Sequence, residues 1–464
     1  MRKFIPLLVM SIFLCGCPRP AQYSRPALPV PAAWPESSAG PAPAPGTPPA
    51  ADTKWREFFA DQRLQSVIEL ALANNRDLRM AALNIEKVQA LYRIQRAEQY
   101  PTIVASASAE AYRVPKTLSG KDDETVGQIT VGLGMASWEL DLFGRIRSLK
   151  SRALSQYLAT EQARSAAQIS LVAAVANTYL ALAADRENLR LAQVTLDAQK
   201  ASYELILRTS QVGIASDLDV RQAQTQVDAA RVDIARYSGQ VALDENALNL
   251  LVGTPVTAGM LSDDLGKVGA LKDVAAGLPS DVLLRRPDIL AAEHQLKAAS
   301  ANIGAARAAF FPRISLTAAA GITSSDLTNL FKPAAGTWNF APQAALPIFD
   351  YGARQAGLKV AKVDRDMAIA EYEKAIQAAF SEVSDALNLR TTLVDQQNAL
   401  QSLVNSLEET YRLSEARYKG GIDSYLSVLV AQRSLYAAQQ QLVGVRLARL
   451  SNLVTLYKVL GGGA

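Results

Sequence analysis

Few side chains in this 464-residue chain could carry out catalysis or bind a metal ion. The sequence holds one histidine, His294, and two cysteines, Cys15 and Cys17. Zinc sites built from His and Cys, Cys/His nucleophilic pairs and disulfide frameworks all need more of these residues. A Ser/His/Asp triad would depend entirely on His294, which could also be a pH switch or, as we prefer, a solvated or core histidine. The residue types therefore predict a protein that is not an enzyme and holds no metal.

Two acidic residues, Glu139 and Asp141, lie in a segment where polar and apolar residues alternate as in a strand. Carboxylates placed there could form a selectivity ring or ligate a metal ion. The segment ends just before a long helical block, so we prefer to interpret both residues as a wetted strand end.

Residues 1–16 have the composition of a signal peptide, with a basic start (1–3) and an apolar segment (4–14) that is too short to span a membrane. The tetrapeptide Leu14-Cys15-Gly16-Cys17 follows and resembles the bacterial lipobox, in which the final cysteine is acylated. This resemblance predicts a diacylglyceryl group and an N-acyl chain on Cys17, with no other cofactor. By resemblance to lipoprotein sorting signals, Pro18 instead of aspartate at the next position implies the outer membrane. An ordinary signal peptide with two incidental cysteines is the alternative.

Residues 17–54 form a segment of unusual composition. Eleven of the 21 prolines fall between residues 18 and 53, among Ala, Gly and Ser. Such a segment forms neither helix nor sheet interior and favours extended polyproline conformations. We predict a lipidated tether that runs along a surface of its own protein.

Charge and hydropathy exclude two further classes. The formal charge is +4, and no run of Lys and Arg occurs, so we expect no nucleic-acid partner. After the leader we find no apolar stretch of the roughly 20 residues that a membrane-spanning helix requires.

The chain repeats itself. Asn75-Arg76-Asp77-Leu78 matches Arg286-Pro287-Asp288-Ile289, and each aspartate is followed at the same distance by an aromatic-Pro pair, Tyr100-Pro101 or Phe311-Pro312. The register continues further along, where the segment from Gly213 to Leu218 matches that from Gly421 to Leu426. The sequence therefore predicts a tandem duplication, with repeat 1 at 55–262, a connector at 263–283, and repeat 2 with a short C-terminus at 284–464.

Each repeat has the same internal order. A helix (77–99 or 288–310) ends at the aromatic-Pro pair, because proline disfavours helix in the residue before it. A strand pair follows, at 102–112 with 128–142 in repeat 1 and at 313–323 with 337–349 in repeat 2. Strands of this length could cross a bilayer at a tilt. A soluble β-hairpin capping a coiled coil is the alternative that the strands alone leave open.

Two proline-free blocks predict long helices at 146–212 and 353–419, which end at Gly213 and Gly420-Gly421. Return helices are predicted at 218–252 and 425–460. Apolar residues recur every seven positions in both pairs, which lets helices pack along their length with a shallow supercoil. The fold class is therefore mainly α with a β part.

Four strands cannot close a membrane barrel, since the smallest single-chain barrels have about eight. An open edge facing lipid would leave backbone groups without hydrogen bonds, so other copies must complete the sheet if it lies in a membrane. This argument requires an oligomer but does not determine the number of chains.

Several motifs in order resemble the TolC/OprM family of outer-membrane efflux channels, and most closely its lipidated OprM type. They are Trp55-Arg56-Glu57-Phe58-Phe59, Asn74 to Leu78, Trp138-Glu139-Leu140-Asp141-Leu142-Phe143-Gly144, Arg285 to Ile289, Gly304 to Pro312, and Leu346-Pro347-Ile348-Phe349. The resemblance covers nearly the whole chain after the leader. It implies a homotrimer with a twelve-stranded barrel in the cell outer membrane, which continues into a twelve-helix tunnel through the periplasm. The connector would belong to an equatorial belt.

The resemblance also implies the function of a passive exit duct in a tripartite pump for drugs and other small molecules. An inner-membrane proton-coupled transporter of the resistance-nodulation-division type would supply the energy, through a periplasmic adaptor protein. The adaptor would contact the two helix-to-helix turns, for which we single out Gly213, Ser216, Gly420, Gly421 and Ser424. The exported compounds, the pump and the opening trigger do not follow from the sequence.

The same turns would close the resting channel. Leu426 matches the apolar aperture residue of the OprM pattern, whereas Val430 stands where an aspartate is expected, and Asp423 lies about one turn away. A ring of apolar side chains can still block passage by excluding water. The candidates for a polar latch near the aperture are Arg417, Tyr418, Arg433, Asp217, Asp219 and Arg221.

Two alternatives from other classes remain. A periplasmic adaptor or structural coiled-coil lipoprotein would show one helical hairpin amid β-rich domains, whereas this chain predicts two helical hairpins and two strand pairs. A cell-wall hydrolase would need a clustered catalytic constellation, which we do not find.

Overall fold

The computed structural model describes residues 23–35, 50–115, 117, 124–269, 271–272 and 282–462. Cys17, the leader and part of the predicted connector lie outside these residues. The chain divides into two compact units. Of the described residues, the strand unit comprises those up to Ala27 and those within Asn84–Glu161 and Ala291–Tyr372, and the helix unit comprises those within Leu28–Leu83, Gln162–Leu290 and Glu373–Ala464.

The helices and strands follow the order that the two repeats predict. In chain order the elements are α1 (Trp55–Phe58), α2 (Gln62–Asn74), α3 (Arg76–Ala97), β1 (Ile103–Val114), β2 (Glu124–Glu139), α4 (Arg145–Gln211), α5 (Asp217–Val252), α6 (Pro287–Ala308), β3 (Arg313–Ser324), β4 (Gly336–Ala345), α7 (Ala353–Lys419) and α8 (Tyr425–Val459).

The long helices confirm the predictions closely. Helix α7 has the predicted bounds, and α4, α5 and α8 differ from theirs by one residue at one or both ends. Helices α3 and α6 end two residues earlier than predicted, because the chain tightens into turns there, with the Tyr100 amide donating to Ala97 and the Phe311 amide donating to Ala308. Helix α2 was not predicted, although Asp61 caps it and apolar residues recur at helical spacing.

The strand unit contains one antiparallel sheet in the order β1-β2-β3-β4. The predicted pairs, β1 with β2 and β3 with β4, are both present. Strand β2 also pairs with β3, with Gly132 opposite Gly321, so strands from the two repeats join in one sheet. A bulge between Met135 and Trp138, where Ser137 has a φ of 47°, shifts the register near the end of β2.

Strand β1 extends two residues beyond its predicted end and β2 begins four residues before its predicted start, whereas β2 and β4 end earlier than predicted. Strand β2 ends at Glu139 instead of residue 142, because Asp141 accepts the amide hydrogens of Ile146 and Arg147 and so caps helix α4. Strand β4 ends at Ala345 instead of residue 349, just before Leu346 and Pro347, and proline has no amide hydrogen for a strand ladder.

The two faces of the sheet have opposite character. Because successive residues of a strand point to opposite faces, the pairing register assigns each side chain to a face. One face, which we call the polar face, carries Ser106, Ser108, Glu110, Gln128, Thr130, Gly132, Thr323, Thr337, Asn339 and Gln343. The other, the apolar face, carries Ala105, Ala107, Ala109, Ile129, Val131, Leu133, Met135, Ile322, Trp338 and Phe340.

The helix unit has an apolar core centred on α1, α2 and the neighbouring parts of α4 and α8. Phe58 is fully buried and stacks on Tyr457 with ring centroids 4.0 Å apart. The Tyr457 hydroxyl donates to the Thr53 carbonyl at 2.6 Å, which pins the chain just before α1. In the described part of the connector, Leu265 and Val268 also join this core.

Helix α4 contains an 18-residue window that is apolar enough to cross a membrane. The prediction that no such stretch follows the leader is therefore wrong by composition. Since 56% of this window is buried inside the chain, its apolar residues serve protein packing.

Candidate functional site

The first helix-to-helix turn joins α4 to α5. Gly213 has a φ of +79°, a left-handed conformation that glycine adopts without strain. Ser216 caps α5: its hydroxyl accepts the Asp219 amide at 3.2 Å, and the Asp219 carboxylate accepts the Ser216 amide at 3.0 Å. This capping box satisfies amides that the helix itself leaves free, so the turn is rigidly specified by its own residues.

The second turn, between α7 and α8, is built differently. Gly421 has a φ of +70°, and Ser424 occupies the cap of α8 without a side-chain hydrogen bond to the helix. The Arg417 guanidinium instead clamps the turn by donating to both carboxylate oxygens of Asp423, at 2.5 and 3.1 Å. The hydrogen bond from Arg417 holds the pKa of Asp423 below its usual value.

An apolar cluster lies next to the two turns. Its buried members are Ile206, Ala223, Tyr425, Val428 and Leu429. Tyr418 packs against the cluster, with its ring centroid 5.3 Å from that of Tyr425. Burial raises the pKa of the Tyr425 phenol to about 12, so its hydroxyl stays neutral at every physiological pH.

The latch candidates fall into two groups. Arg417 forms the ion pair with Asp423. Burial raises the pKa of the Tyr418 phenol, and the negative charge of the nearby Asp219 raises it further. Asp217, Arg221 and Arg433 are exposed and form no ion pair with any residue that the structure describes. Within one chain, the partner of Arg417 is therefore a residue predicted for the aperture and not another latch candidate.

The aperture candidates lie on the first turns of α8. Leu426 and Val430 are 51% and 49% exposed, whereas Tyr425, Val428 and Leu429 beside them are buried. Helix α8 therefore presents two large apolar side chains to solvent on one side while its other side packs against the cluster. Their role at an aperture stays a prediction.

At the other end of α4, charged residues join strands to helices. The Glu139 carboxylate accepts two hydrogen bonds from Arg145, at 2.8 and 2.9 Å, and an ion pair from Arg313 at 2.6 Å. Only 9% of the Glu139 side chain is exposed. The prediction of a wetted strand end is therefore wrong for Glu139, because two arginines pair with it, and Asp141 acts as a helix cap.

Residues 23–35 of the predicted tether lie against the chain itself, as predicted. Glu293 on α6, with a side chain only 3% exposed, accepts hydrogen bonds from Tyr23 and Arg25 and an ion pair from Lys297. Further along, Trp34 stacks on Phe380 at 4.9 Å. Nothing in the sequence near Glu293 reveals this cluster, since Tyr23 and Arg25 lie about 270 residues away.

Two other charged groups were not predicted from the sequence. Arg286 donates to Asp288, Glu382 and the Val459 carbonyl. Burial alone would raise the pKa of Asp288, but the hydrogen bond and charge of Arg286 together with backbone amides outweigh it and lower the pKa. The Arg-Pro-Asp motif marks the repeat and belongs to the family motifs, but it predicts neither Glu382 nor the Val459 carbonyl as a partner of Arg286. The second group pairs the carboxyls of Asp185 and Asp244 on α4 and α5, and burial raises the pKa of Asp185 to about 6.

His294 is partly buried, and its Nδ1 atom contacts no hydrogen-bonding partner among the described residues. Burial and the nearby Lys297 lower its pKa, so the imidazole is neutral at pH 7. Across the described residues, no group of three or more His, Cys, Asp and Glu side chains is arranged to hold a metal ion.

Comparisons with known proteins agree with this architecture. The family profile of the outer membrane efflux protein matches residues 67–254 and 278–462. The chain is 48% identical over 466 residues to the antibiotic efflux pump outer membrane protein ArpC of Pseudomonas putida and, equally, to the toluene efflux pump outer membrane protein TtgC of the same species. Each alignment covers 100% of this chain and 96% of the relative.

Among solved structures, the open state of the MtrE outer membrane channel of Neisseria gonorrhoeae superposes with a TM-score of 0.87 at 39% identity, covering 95% of this chain and 97% of that one. The predicted membership of the TolC/OprM family and the predicted fold class are both confirmed. The chain is an efflux channel and not an enzyme, which removes the adaptor and hydrolase alternatives. By profile, by identity over its whole length and by fold, the chain belongs to the outer membrane efflux protein family.

Proposed function

We propose that three copies of the chain form the outer-membrane duct of a tripartite pump, through which small apolar and amphipathic compounds leave the cell. The observation that carries this proposal is the two-faced sheet with open edges. Strand β1 pairs only with β2, and β4 pairs only with β3, among the described residues. Lipid can face one side of such a sheet and water the other, provided that neighbouring copies cover the edges.

Three copies would supply twelve strands to one barrel and twelve helices to one tunnel. Strand β4 of one copy would pair with β1 of the next, which satisfies every backbone group that a single chain leaves open. Exposed aromatic residues at the two ends of the β4 segment, Trp338 and Phe349, suit the interface between lipid and water. The barrel would lie in the cell outer membrane, with the helices extending into the periplasm.

The helix-to-helix turns are the proposed gate and docking surface. Exposed Leu426 and Val430 of three chains would meet at the aperture and exclude water, and the Arg417–Asp423 pair would hold the closing turn in place. The turns around Gly213, Ser216, Gly420, Gly421 and Ser424 would contact a periplasmic adaptor protein. The adaptor would connect the duct to an inner-membrane, proton-coupled transporter of the resistance-nodulation-division type.

Antibiotics and organic solvents are the cargo that we propose, because the two relatives at 48% identity are named for antibiotic and toluene efflux. Deletion of the gene should cause hypersensitivity to several unrelated antibiotics and dyes and to toluene, and a plasmid copy should restore resistance. Unchanged sensitivity across the panel, with the pump expressed, would contradict drug and solvent efflux.

The oligomer has its own test. A membrane-extracted sample should run on a denaturing gel as a trimer when unheated and as a monomer after boiling, because a shared barrel resists detergent. A monomer band without heating would contradict the shared barrel.

The lipid anchor at Cys17 completes the proposal. The six residues from Cys17 to Tyr23 can span at most about 20 Å, so the acyl chains would enter the membrane within that distance of the Tyr23 contact on Glu293. A Cys17→Ala variant should lose labelling by radioactive palmitate yet still reach the membrane through its barrel. Persistent labelling of that variant would exclude Cys17 as the lipidated residue.

A further inference from the structure

Glu110 is a charged residue on the polar face of the sheet, within the edge strand β1. It lies seven residues after Ile103, the first residue of β1, and its side chain is exposed. Gln128 of β2 is directly opposite, and the neighbouring pair on the same face is Ser108 with Thr130. The neighbouring pair on the other side is Tyr112 with Val126, so the residues next to Glu110 on this face are uncharged.

Among the described residues, the other charges of the sheet provide no counter-ion for Glu110, and the register places a further acidic residue, Glu124, on the same face. Glu139 and Arg313 share its face but lie at the helix end of the strands, where they bind each other. Arg113 is three residues further along β1, and strand alternation places it on the apolar face. Glu110 forms no ion pair with any residue that the structure describes.

The character of the two faces decides where this carboxylate is exposed. In a membrane barrel the apolar face meets lipid, so the polar face lines the lumen. A lone carboxylate that faced hydrocarbon would be strongly unfavourable, whereas water in the lumen solvates it. Three chains place three such carboxylates at one level of the barrel.

We propose that the Glu110 side chains of three copies form a ring of fixed negative charge in the barrel lumen, which gives the duct a preference for cations and cationic organic solutes. The ring rests on the proposed trimer, because one chain contributes only one of its three carboxylates. It is distinct from the aperture candidates, among which Val430 supplies no charge and Asp423 is already paired with Arg417.

The physical effect is electrostatic focusing. Fixed charges of one sign in a water-filled passage with low-dielectric walls concentrate ions of the opposite sign. Screening sets the range, because the Debye length is about 30 Å at 0.01 M salt and about 3 Å at 1 M. The preference should therefore be strong in dilute salt and nearly absent at 1 M.

Ion selectivity of the purified oligomer in a planar lipid bilayer tests the ring. In a KCl gradient of low concentration, Glu110→Gln should lower the ratio of potassium to chloride permeability by at least about twofold, since the ring loses its charge. The same variant should match the wild type near 1 M KCl. Heat-stable oligomer on a gel confirms that each variant assembles.

A charge swap provides the matched control. Because Gln128 is the register partner of Glu110 on the same face, the double variant Glu110→Gln with Gln128→Glu returns one carboxylate per chain to the same level of the lumen. It should recover the wild-type permeability ratio, and Gln128→Glu alone should exceed it. Recovery would exclude a merely local effect of the Glu110 substitution.

The possible failures are distinguishable. A wild-type permeability ratio in Glu110→Gln at low salt would overturn the charge ring while leaving the proposed duct intact. A double variant that fails to recover selectivity would overturn it as well. A wild-type protein that forms no conducting pore at all would instead contradict the proposed function.

Discussion

Arg25 and Glu293 form a two-pronged ion pair between the N-terminal tether and helix α6. The Arg25 guanidinium donates to both carboxylate oxygens, at 2.7 and 3.3 Å, and Tyr23 donates to the same carboxylate at 3.0 Å. Lys297 adds a second ion pair from within the helix at 2.9 Å. Burial alone would raise the pKa of Glu293, but these donors outweigh it and lower the pKa, so the carboxylate stays charged where the tether docks.

Loss of this charge should release the tether. Glu293→Gln removes the partner of Arg25 and Tyr23, so we expect chymotrypsin to cleave after Tyr23 several times faster than in the wild type, because the docked segment opens more often. The control is Glu69→Gln, which removes an exposed ion pair with Arg56 whose contribution is about 0–1 kcal/mol. Equal cleavage rates in the wild type and Glu293→Gln would show that the ion pair does not hold the tether.

The Arg417–Asp423 pair should keep the duct closed. Asp423→Asn weakens the clamp on the α7–α8 turn, so we expect a higher conductance in planar bilayers than in the wild type. Glu409→Gln, which breaks an exposed Arg412–Glu409 pair within α7, should leave the conductance unchanged.

Because Arg417 holds the pKa of Asp423 below its usual value of 3.8, the wild-type conductance should not rise between pH 7.5 and pH 5. A rise over that range would contradict the clamp.

Asp185 should make the helix unit less stable as the pH rises. Burial and the neighbouring Asp244 raise the pKa of Asp185 from 3.8 to about 6, so the protonated form suits the folded chain better. Its contribution is fully present below the unfolded value and is lost as the pH rises through 6. Asp185→Asn mimics the protonated form and should stabilise the protein at pH 7.5 by about 1–2 kcal/mol per chain.

Thermal unfolding at two pH values measures this effect. The gain in Tm from Asp185→Asn should be clear at pH 7.5 and should disappear at pH 4. Asp197→Asn, at an exposed position on the same helix, should change Tm little at either pH. A gain in Tm that is the same at both pH values would show that the stabilisation does not come from the ionisation of Asp185.

Gly321 should be essential for the junction between the two repeats. A Cβ atom at this position would lie 2.3 Å from the Val131 carbonyl oxygen and 2.6 Å from the Gly132 Cα, both of them backbone atoms that cannot move aside. Gly321→Ala should therefore separate β2 from β3, at a cost of about 1–3 kcal/mol or more.

The yield of heat-stable oligomer measures the damage. Gly134→Ala on β2 is the control, because its Cβ would lie 3.6 Å from the Ala319 Cβ, an ordinary contact. We expect the oligomer band to fall in Gly321→Ala and to remain in Gly134→Ala. A normal yield of heat-stable oligomer from Gly321→Ala would show that assembly does not require the close contact between β2 and β3.

Much of the fold follows from local sequence. Helices α4 and α7 lie within one residue of their predicted bounds, because proline-free blocks of strong helix formers define them and Gly213 and Gly420-Gly421 end them. The strand pairs follow from alternation bounded by turns. Such features depend on interactions between residues that are close in sequence, which a single chain read from end to end reveals.

The tertiary structure alone decided the rest. The pairing of β2 with β3 joins repeats nearly 200 residues apart, and the docking of Arg25 on Glu293 spans 268 residues. The face of the sheet on which Glu110 lies also depends on the tertiary structure, since a shift of one residue in the pairing register would move its side chain to the other face. Each of these depends on which distant segments meet, and a local pattern of residue types is compatible with many such pairings until packing and hydrogen bonding select one.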